Sequence, residues 1–239
     1  MSALARHRTT ALLLAAAAVG WVVTYERMQG MDEGPGTDLG GLGWYLGVWV
    51  TMMAAMMLPS AVPAARRVAR LAPTVRFAAG YLAVWTAFGL AAYGLVQLAT
   101  SFDADWLAWK DAGPYVAGGL LVAAGIYELT PLKQRSLRRC RAPGGEGGAF
   151  RSGVGHGVDC VGSSAGLMVA LFALGVMSLF WMALVAAAIF AEKVLPGSVR
   201  LSRGVALALV ALGIWVAAAP GSVPALTEPG EMPTMEMES

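Results

Sequence analysis

Long apolar blocks constrain the fold of this chain more than any other feature. Hydrophobic residues make up 57% of the sequence, and only 13% of residues are charged. The apolar residues fall in blocks of roughly 15 to 23, the length that a helix needs to cross a bilayer core. Inside lipid every backbone N–H and C=O must be paired within its segment, so such blocks must be helical. No alternation of polarity supports a barrel. The sequence therefore predicts an all-α, polytopic transmembrane helical bundle.

The blocks predict about seven transmembrane helices. A cleaved signal peptide is the alternative for the first block, but no small-x-small site follows it before Glu26, which favours an uncleaved span. No loop is long enough to bury its own core, so we expect one domain over residues 1–225 and a disordered tail of Met and Glu over 226–239. The predicted spans lie near residues 11–25, 44–62, 77–99, 115–130, 158–176, 179–194 and 205–219.

The distribution of charge predicts the orientation. If the N-terminus is cytoplasmic, all Lys and Arg except Arg27 and Lys110 fall on the cytoplasmic side, as the positive-inside rule requires. Seven spans then place the C-terminus outside, and the chain is expected in the cell membrane. The basic residues lie in short loops rather than on one soluble face, so nucleic-acid binding is not expected.

Four methionines of the second span are a candidate copper site. They lie at i, i+1, i+4 and i+5 of one helix and therefore stack in two pairs on adjacent faces. Thioether sulfur is a soft ligand that suits Cu(I), whereas methionine also fills gaps in packed helices. Three methionines of the outer tail, Met232, Met235 and Met237, have two interpretations as well. They capture copper, or they belong to an ordinary solvated segment. The four methionines of the span are Met52, Met53, Met56 and Met57.

A second candidate site lies at the start of the fifth span. His156 and Cys160 are four residues apart and share one helix face if the helix begins early enough, which would suit copper or zinc. Asp159 is an ionisable group at the membrane boundary, where such groups mark function. The alternative has Asp159 capping the helix, Cys160 as an ordinary small residue and His156 at the interface.

The chain has two cysteines, Cys140 and Cys160. Both are predicted to lie on the cytoplasmic side, where thiols stay reduced, so a structural disulfide is not expected. A shared metal site requires the glycine-rich segment between them to fold back. Their spacing is not that of a zinc finger.

Four further ionisable residues lie at the predicted inner membrane boundary. Glu128 is about one turn inside the fourth span, and a carboxylate buried there needs a partner. Lys133, Lys193 or a metal ion are the candidates for that partner. At the inner end of the sixth span, interfacial anchoring is the preferred interpretation of Glu192 and Lys193.

Four blocks, in order, resemble one family. Met52 to Ser60 resembles M-M-x-A-M-M-x-P-S, and Tyr127 to Pro143 resembles Y-x-L-T-P-L-K followed by C-L-x-x-C-R-x-P. Gly155 to Met168 resembles G-x-x-C-x-G-C-C-x-x-L-M, and Gly175 to Pro196 resembles G-x-M-x-x-x-W-M followed by E-K-x-x-P. This set is similar to a bacterial family of predicted metal-binding integral membrane proteins, sometimes labelled copper-chaperone-like. The resemblance covers about Leu46 to Ser198.

The resemblance implies an inner-membrane protein that binds metal through cysteine clusters, and this chain departs from that pattern. Ser136 stands where the first cysteine of the second block would be, and Ser163 and Ser164 stand where the paired cysteines of the third would be. A hydroxyl is a poor ligand for soft metals. We therefore expect a thinned thiolate site, a methionine or His/Cys site, or a member without metal.

Three functions follow from these observations. The leading hypothesis is a copper-binding membrane protein that delivers metal, with a cuproenzyme or membrane complex as its partner. The alternatives are a small-solute or ion transporter, in which Glu128 and Asp159 line a polar pathway, and a structural subunit assembled through small residues. An enzyme is not expected, because the sequence has no nucleophile–base arrangement, phosphate loop or dinucleotide fingerprint.

The orientation is testable by labelling. A single cysteine at Gly144, in a chain lacking Cys140 and Cys160, is expected to react with a membrane-impermeant maleimide only after cells are permeabilised. A cysteine at Asp105, in a predicted outer loop, is the control and should react in intact cells. Reaction at position 144 in intact cells would contradict the predicted orientation.

Overall fold

The computed structural model describes residues 3–28, 40–67, 71–101, 112–142, 148–176, 178–224 and 226. Over these residues the chain is helical and contains no strand, so the predicted all-α fold is confirmed. A 3-10 turn, Pro220–Ser222, follows the last helix. The α-helices are α1 (Ala3–Met28), α2 (Leu42–Ala65), α3 (Leu71–Thr100), α4 (Gly113–Glu128), α5 (Pro131–Arg141), α6 (Ala149–Leu174), α7 (Leu179–Val194) and α8 (Ser198–Ala218).

Five of these helices, α1, α2, α3, α6 and α8, are long and apolar enough to cross a membrane. The helices α4 and α7 have 16 residues each, fewer than the roughly 20 that a bilayer core requires. A sixth span arises only if α4 and α5 count together, and they are bent by 62°. All seven predicted blocks fall in helices, but length and composition support five or six spans rather than seven.

The helices α2 and α6 form the centre of the bundle. Residues buried inside the protein make up 67% of the most apolar stretch of α2 and 61% of that of α6, against 28% or less in α1, α3 and α8. Around this centre α1 packs on α2, α3 on α6 and on α2, α7 on α2, and α4 on both α6 and α8. The outer helices turn large apolar side chains outward, as a lipid-facing surface requires, for example Val19, Leu95 and Leu207.

Two sequence-based boundaries are wrong. The stretch from Lys133 to Arg151 was expected to be a basic loop, but Pro131–Arg141 forms the helix α5. Thr130 caps it by accepting a hydrogen bond from the Lys133 backbone N–H, and Pro131 occupies its first turn. The sequence also predicts that the fifth span begins near Val158, whereas α6 begins at Ala149. Gly153 and Gly157 of the added segment pack closely against α3. The Gly-rich centre, 143–147, lies outside the described residues.

Glycines allow α3 and α6 to approach closely. A Cβ atom at Gly153 would lie 2.1 Å from the Phe77 carbonyl oxygen, and one at Gly80 would lie 2.3 Å from that of Phe150. Small residues at helix contacts are typical of membrane bundles. Gly118 of α4 likewise meets α8, whereas nothing lies within 4 Å of a Cβ atom built at its neighbour Gly119.

This contact predicts a difference between two neighbouring glycines. Gly153→Ala should lower the free energy of unfolding by about 1–3 kcal/mol, because the methyl group has no room against α3. Gly155→Ala is the matched control, since nothing lies within 4 Å of its Cβ position; it should be neutral or stabilise by up to about 1 kcal/mol. Denaturation in mixed micelles measures both, and equal effects would contradict the proposed packing.

Candidate metal and charge site

The polar interior is concentrated at one end of the bundle, which we call the basic end. It contains the last turns of α4 and α7, the first half of α3, α6 and α8, and the whole of α5. Arginines surround this end, and two of them tie α5 to its neighbours. Arg67 donates to the Ala142 carbonyl at 3.0 Å, and Arg141 donates to the Glu192 carbonyl at 2.8 Å.

Lys133 is the centre of a buried charge cluster. Its ammonium donates to the carboxylate of Glu128 and, at 2.8 Å, to both carboxylate oxygens of Glu192. It also donates to the Ser202 hydroxyl at 2.8 Å. All four side chains are buried at 1% exposure or less. The cluster joins α4, α5, α7 and α8 through one side chain.

The Lys133 cluster identifies the partner of Glu128, and it corrects the sequence-based interpretation of Glu192 and Lys193. Lys133, rather than Lys193, is the partner of Glu128. The preferred interpretation of Glu192 and Lys193 as interfacial anchors is wrong, because both side chains point into the protein, where they are 1% and 8% exposed. A buried carboxylate and a buried ammonium are stable only with partners, and each of these residues has one on another helix.

Cys160 is the centre of a second cluster, adjacent to the first. Its Sγ accepts a hydrogen bond from the Lys193 ammonium at 2.7 Å and lies 2.8 Å from the Tyr81 hydroxyl. Within the described ranges, Lys193 forms no salt bridge with a carboxylate. The Cys160 sulfur is therefore the partner of this ammonium, and as a thiolate it would supply the counter-charge that a buried ammonium needs.

Cys140 and His156 complete the second cluster. The Cys140 Sγ lies 3.9 Å from His156 Nε2, and the Cys140 and Cys160 side chains are close enough to interact electrostatically. Both cysteines are free and buried. The imidazole is held against the rings of Phe77 and Tyr81, with ring centroids 5.8 and 5.6 Å apart. The fold thus brings together three of the predicted metal ligands.

Asp159 is not part of this group. Its side chain is half-buried, and the charge that acts on it most is the Arg139 guanidinium of α5, with a smaller influence from Cys160. Helix geometry explains this: Asp159 precedes Cys160 by one residue and so faces about 100° away from it. The predicted tail methionines lie outside the described residues.

The methionines of α2 lie in the interior next to the second cluster. The Tyr81 hydroxyl connects the two regions, because it contacts Cys160 and also donates to the Met57 carbonyl at 3.5 Å. None of the four side chains faces lipid, since each is at most 2% exposed: Met52, Met53, Met56 and Met57.

The donors at the second cluster are few, and they are soft or borderline in character. Across the part of the chain that the structure describes, no three His, Cys, Asp or Glu side chains are arranged to hold a metal ion. The second cluster nevertheless contains two thiols and an imidazole, which are donors that suit Cu(I).

Two residues of the clusters were not predicted from the sequence. Tyr81 lies in the apolar α3, and Ser202 lies in a basic turn at the start of α8. The signal for Tyr81 is weak, because a tyrosine near the end of a span is usually an interface residue. Ser202 gives no local signal, since its role depends on the ammonium of a helix about 70 positions earlier.

Comparison with known proteins adds a family. The profile of the PpoB2 family, described as a copper chaperone, matches residues 46–216. No curated protein and no solved structure matches the chain. The matched region contains every residue of both clusters.

The Lys133 cluster predicts a large stability effect. Lys133→Met should lower the free energy of unfolding by about 3–5 kcal/mol, because it leaves two buried carboxylates without a cation. Neutralising them as well, with Glu128→Gln and Glu192→Gln, should recover part of the loss. Arg135→Met, an exposed position of the same helix, is the control and should change stability by less than about 0.5 kcal/mol. Wild-type stability of Lys133→Met would contradict the assignment.

Proposed function

Given that the chain belongs to the PpoB2 copper-chaperone family, we propose that it is an integral membrane protein that binds Cu(I) as cargo. The cargo site is the thiol pair of Cys140 and Cys160. The recipient is a cuproenzyme or another membrane-complex partner that takes copper from this site.

The observation that carries the proposal is the meeting of the two cysteines. They are the chain's two thiols, on different helices, and they meet only because α5 packs across the first half of α6. A buried pair of free thiols has two ordinary uses, a disulfide or a soft metal. A cytoplasmic site, as predicted from the charge distribution, favours the metal.

The charges support binding of a single cation. The Lys193 ammonium donates to the Cys160 sulfur at 2.7 Å, and this contact favours the thiolate, the form that binds metal. Binding of Cu(I) by both sulfurs would release the proton of Cys140, so one monovalent cation would enter as another leaves. The Lys193 ammonium would then balance the net negative charge of the bis-thiolate Cu(I) group, which avoids a large change of buried charge.

The departures from the family pattern fall on the same helix contact. Ser136 lies four residues before Cys140 on α5, and its hydroxyl faces the backbone of α6 at Gly162. Ser163 donates to the Cys160 carbonyl at 2.9 Å, and its side chain also interacts with Cys140. Cysteines at these positions would therefore surround the existing pair. This supports the view that the present site is a reduced version of a larger thiolate site.

The alternatives lack a comparable observation. Glu128 is bound to Lys133, and Asp159 lies on a different face, so the two carboxylates do not line one pathway. A structural or assembly role explains the close helix packing but leaves the buried thiolate without a purpose. No catalytic role is proposed.

Loss of a ligand tests the proposal. Purified, reduced protein should bind about one Cu(I) per chain in competition with a chromogenic Cu(I) chelator. Cys160→Ser should weaken binding by about 100-fold or more. Met56→Leu should weaken Cu(I) binding less than Cys160→Ser does. Unchanged affinity of a folded Cys160→Ser protein would refute the cargo site.

Gain of a ligand provides a second test. Ser163→Cys should raise Cu(I) affinity by about tenfold, because it adds a thiol next to Cys140. Ser101→Cys adds the same group far from the pair and should leave the affinity of the pair unchanged. Equal affinity of Ser163→Cys and wild type would show that the helix contact is not the copper site.

A further inference from the structure

A positively charged cavity lies at the basic end, apart from both clusters. It has a volume of about 420 Å³ and lies between the first turn of α1 and the last turn of α2. This volume is in the range of small-ligand pockets and exceeds what one phosphate ion fills. Its lining residues are Ala3, Arg6, His7, Pro63, Arg66 and Arg67.

The lining selects for an anion. Three guanidinium groups and one imidazole face the cavity, and no carboxylate of the described residues does. A guanidinium presents a planar set of donors that matches the oxygens of a phosphate, often in pairs. A cavity with this lining repels cations, including Cu(I), so its function is separate from the cargo site.

Two of the arginines are held in place by other parts of the protein. Arg66 Nε donates to the Thr10 hydroxyl of α1 at 2.8 Å, and Arg67 donates to the Ala142 carbonyl after α5 at 3.0 Å. Each bond uses one of the five N–H donors of a guanidinium, so the remaining donors are available to a ligand. Such preorganisation lowers the entropy cost of binding.

The position of the cavity indicates that a phosphate bound there would belong to a lipid. It lies at the ends of two helices that are long and apolar enough to cross a membrane. On the bilayer side of the cavity α1 turns large apolar side chains outward, including Leu14 at 47% and Val19 at 62% exposure. An anionic lipid would place its phosphate among the arginines and its acyl chains along this surface. Basic pockets between membrane helices bind lipid head groups in this way.

We propose that this cavity binds the phosphate of an anionic lipid head group, with Arg6, Arg66 and Arg67 as its ligands. The lipid phosphate would connect the N-terminal turn of α1 to the end of α2. Arg67 also donates to the carbonyl of Ala142, the residue after the end of α5. The bound lipid would therefore lie next to the end of the helix that carries Cys140.

The test measures lipid retention by the full-length protein in neutral detergent. Native mass spectrometry counts bound phosphatidylglycerol and phosphatidylcholine, and a thermal unfolding midpoint is recorded with each lipid and with inorganic phosphate. Arg6→Gln is the main variant, because it removes a cavity ligand and leaves the bonds of Arg66 and Arg67 to neighbouring helices intact. Arg66→Gln is the second, and Arg8→Gln, exposed on the same helix but outside the lining, is the matched control.

We expect wild type and Arg8→Gln to retain phosphatidylglycerol, and Arg6→Gln to bind it about fivefold more weakly, as the loss of one cation near anionic lipid predicts. Phosphatidylcholine should bind weakly to all of them. Equal retention of phosphatidylglycerol by wild type, Arg6→Gln and Arg66→Gln would overturn the proposal. Stabilisation by inorganic phosphate as large as that by phosphatidylglycerol would overturn the lipid as its source and assign the cavity to a soluble phosphate.

Discussion

The buried ammonium of Lys133 is the interaction on which the arrangement of the basic end depends. In a dry interior an ammonium must find carboxylates, and Lys133 finds them at the ends of α4 and α7. It lies in the first turn of α5, so the contact sets the direction in which α5 leaves α4. With that direction set, Cys140 comes to lie against α6, beside Cys160 and His156. The position of Cys140 beside Cys160 therefore depends on the ion pairs of Lys133, which lies about two helical turns earlier on α5.

Adjacent residues link the two clusters. Glu192 accepts hydrogen bonds from Lys133, and Lys193 donates one to Cys160. Two neighbouring residues at the end of α7 therefore have different partners. Neither charge is left without a counter-charge, which is the condition for burying ionised groups. Cys160 is thereby connected to the Lys133 cluster through two successive residues of α7.

The helix α5 separates the cysteines from the solvent at the basic end. Its buried face carries Lys133, Leu137 and Cys140, while its arginines point outward or to neighbouring backbones. The bond from Arg67 ties its far end to α2.

The sequence determined the class of this protein and many of its parts. Apolar blocks and backbone pairing in lipid require helices, the position of the methionines makes them part of α2, and the i, i+4 spacing puts His156 and Cys160 on one face. What it did not determine was which distant groups meet. The sequence leaves three candidates for the partner of Glu128 and predicts that Glu192 and Lys193 lie at the interface. It gives no strong sign that Tyr81 and Ser202 belong to the clusters.

The reason for this division is physical. Length, hydropathy and helical spacing act along the chain, within a few residues, and they can be read from the printed sequence. Pairing of a buried charge is decided by whichever groups the packed helices bring within reach, and for Lys133 these lie 5, 59 and 69 positions away. Only the tertiary structure decides that geometry, and with it the meeting of the two thiols.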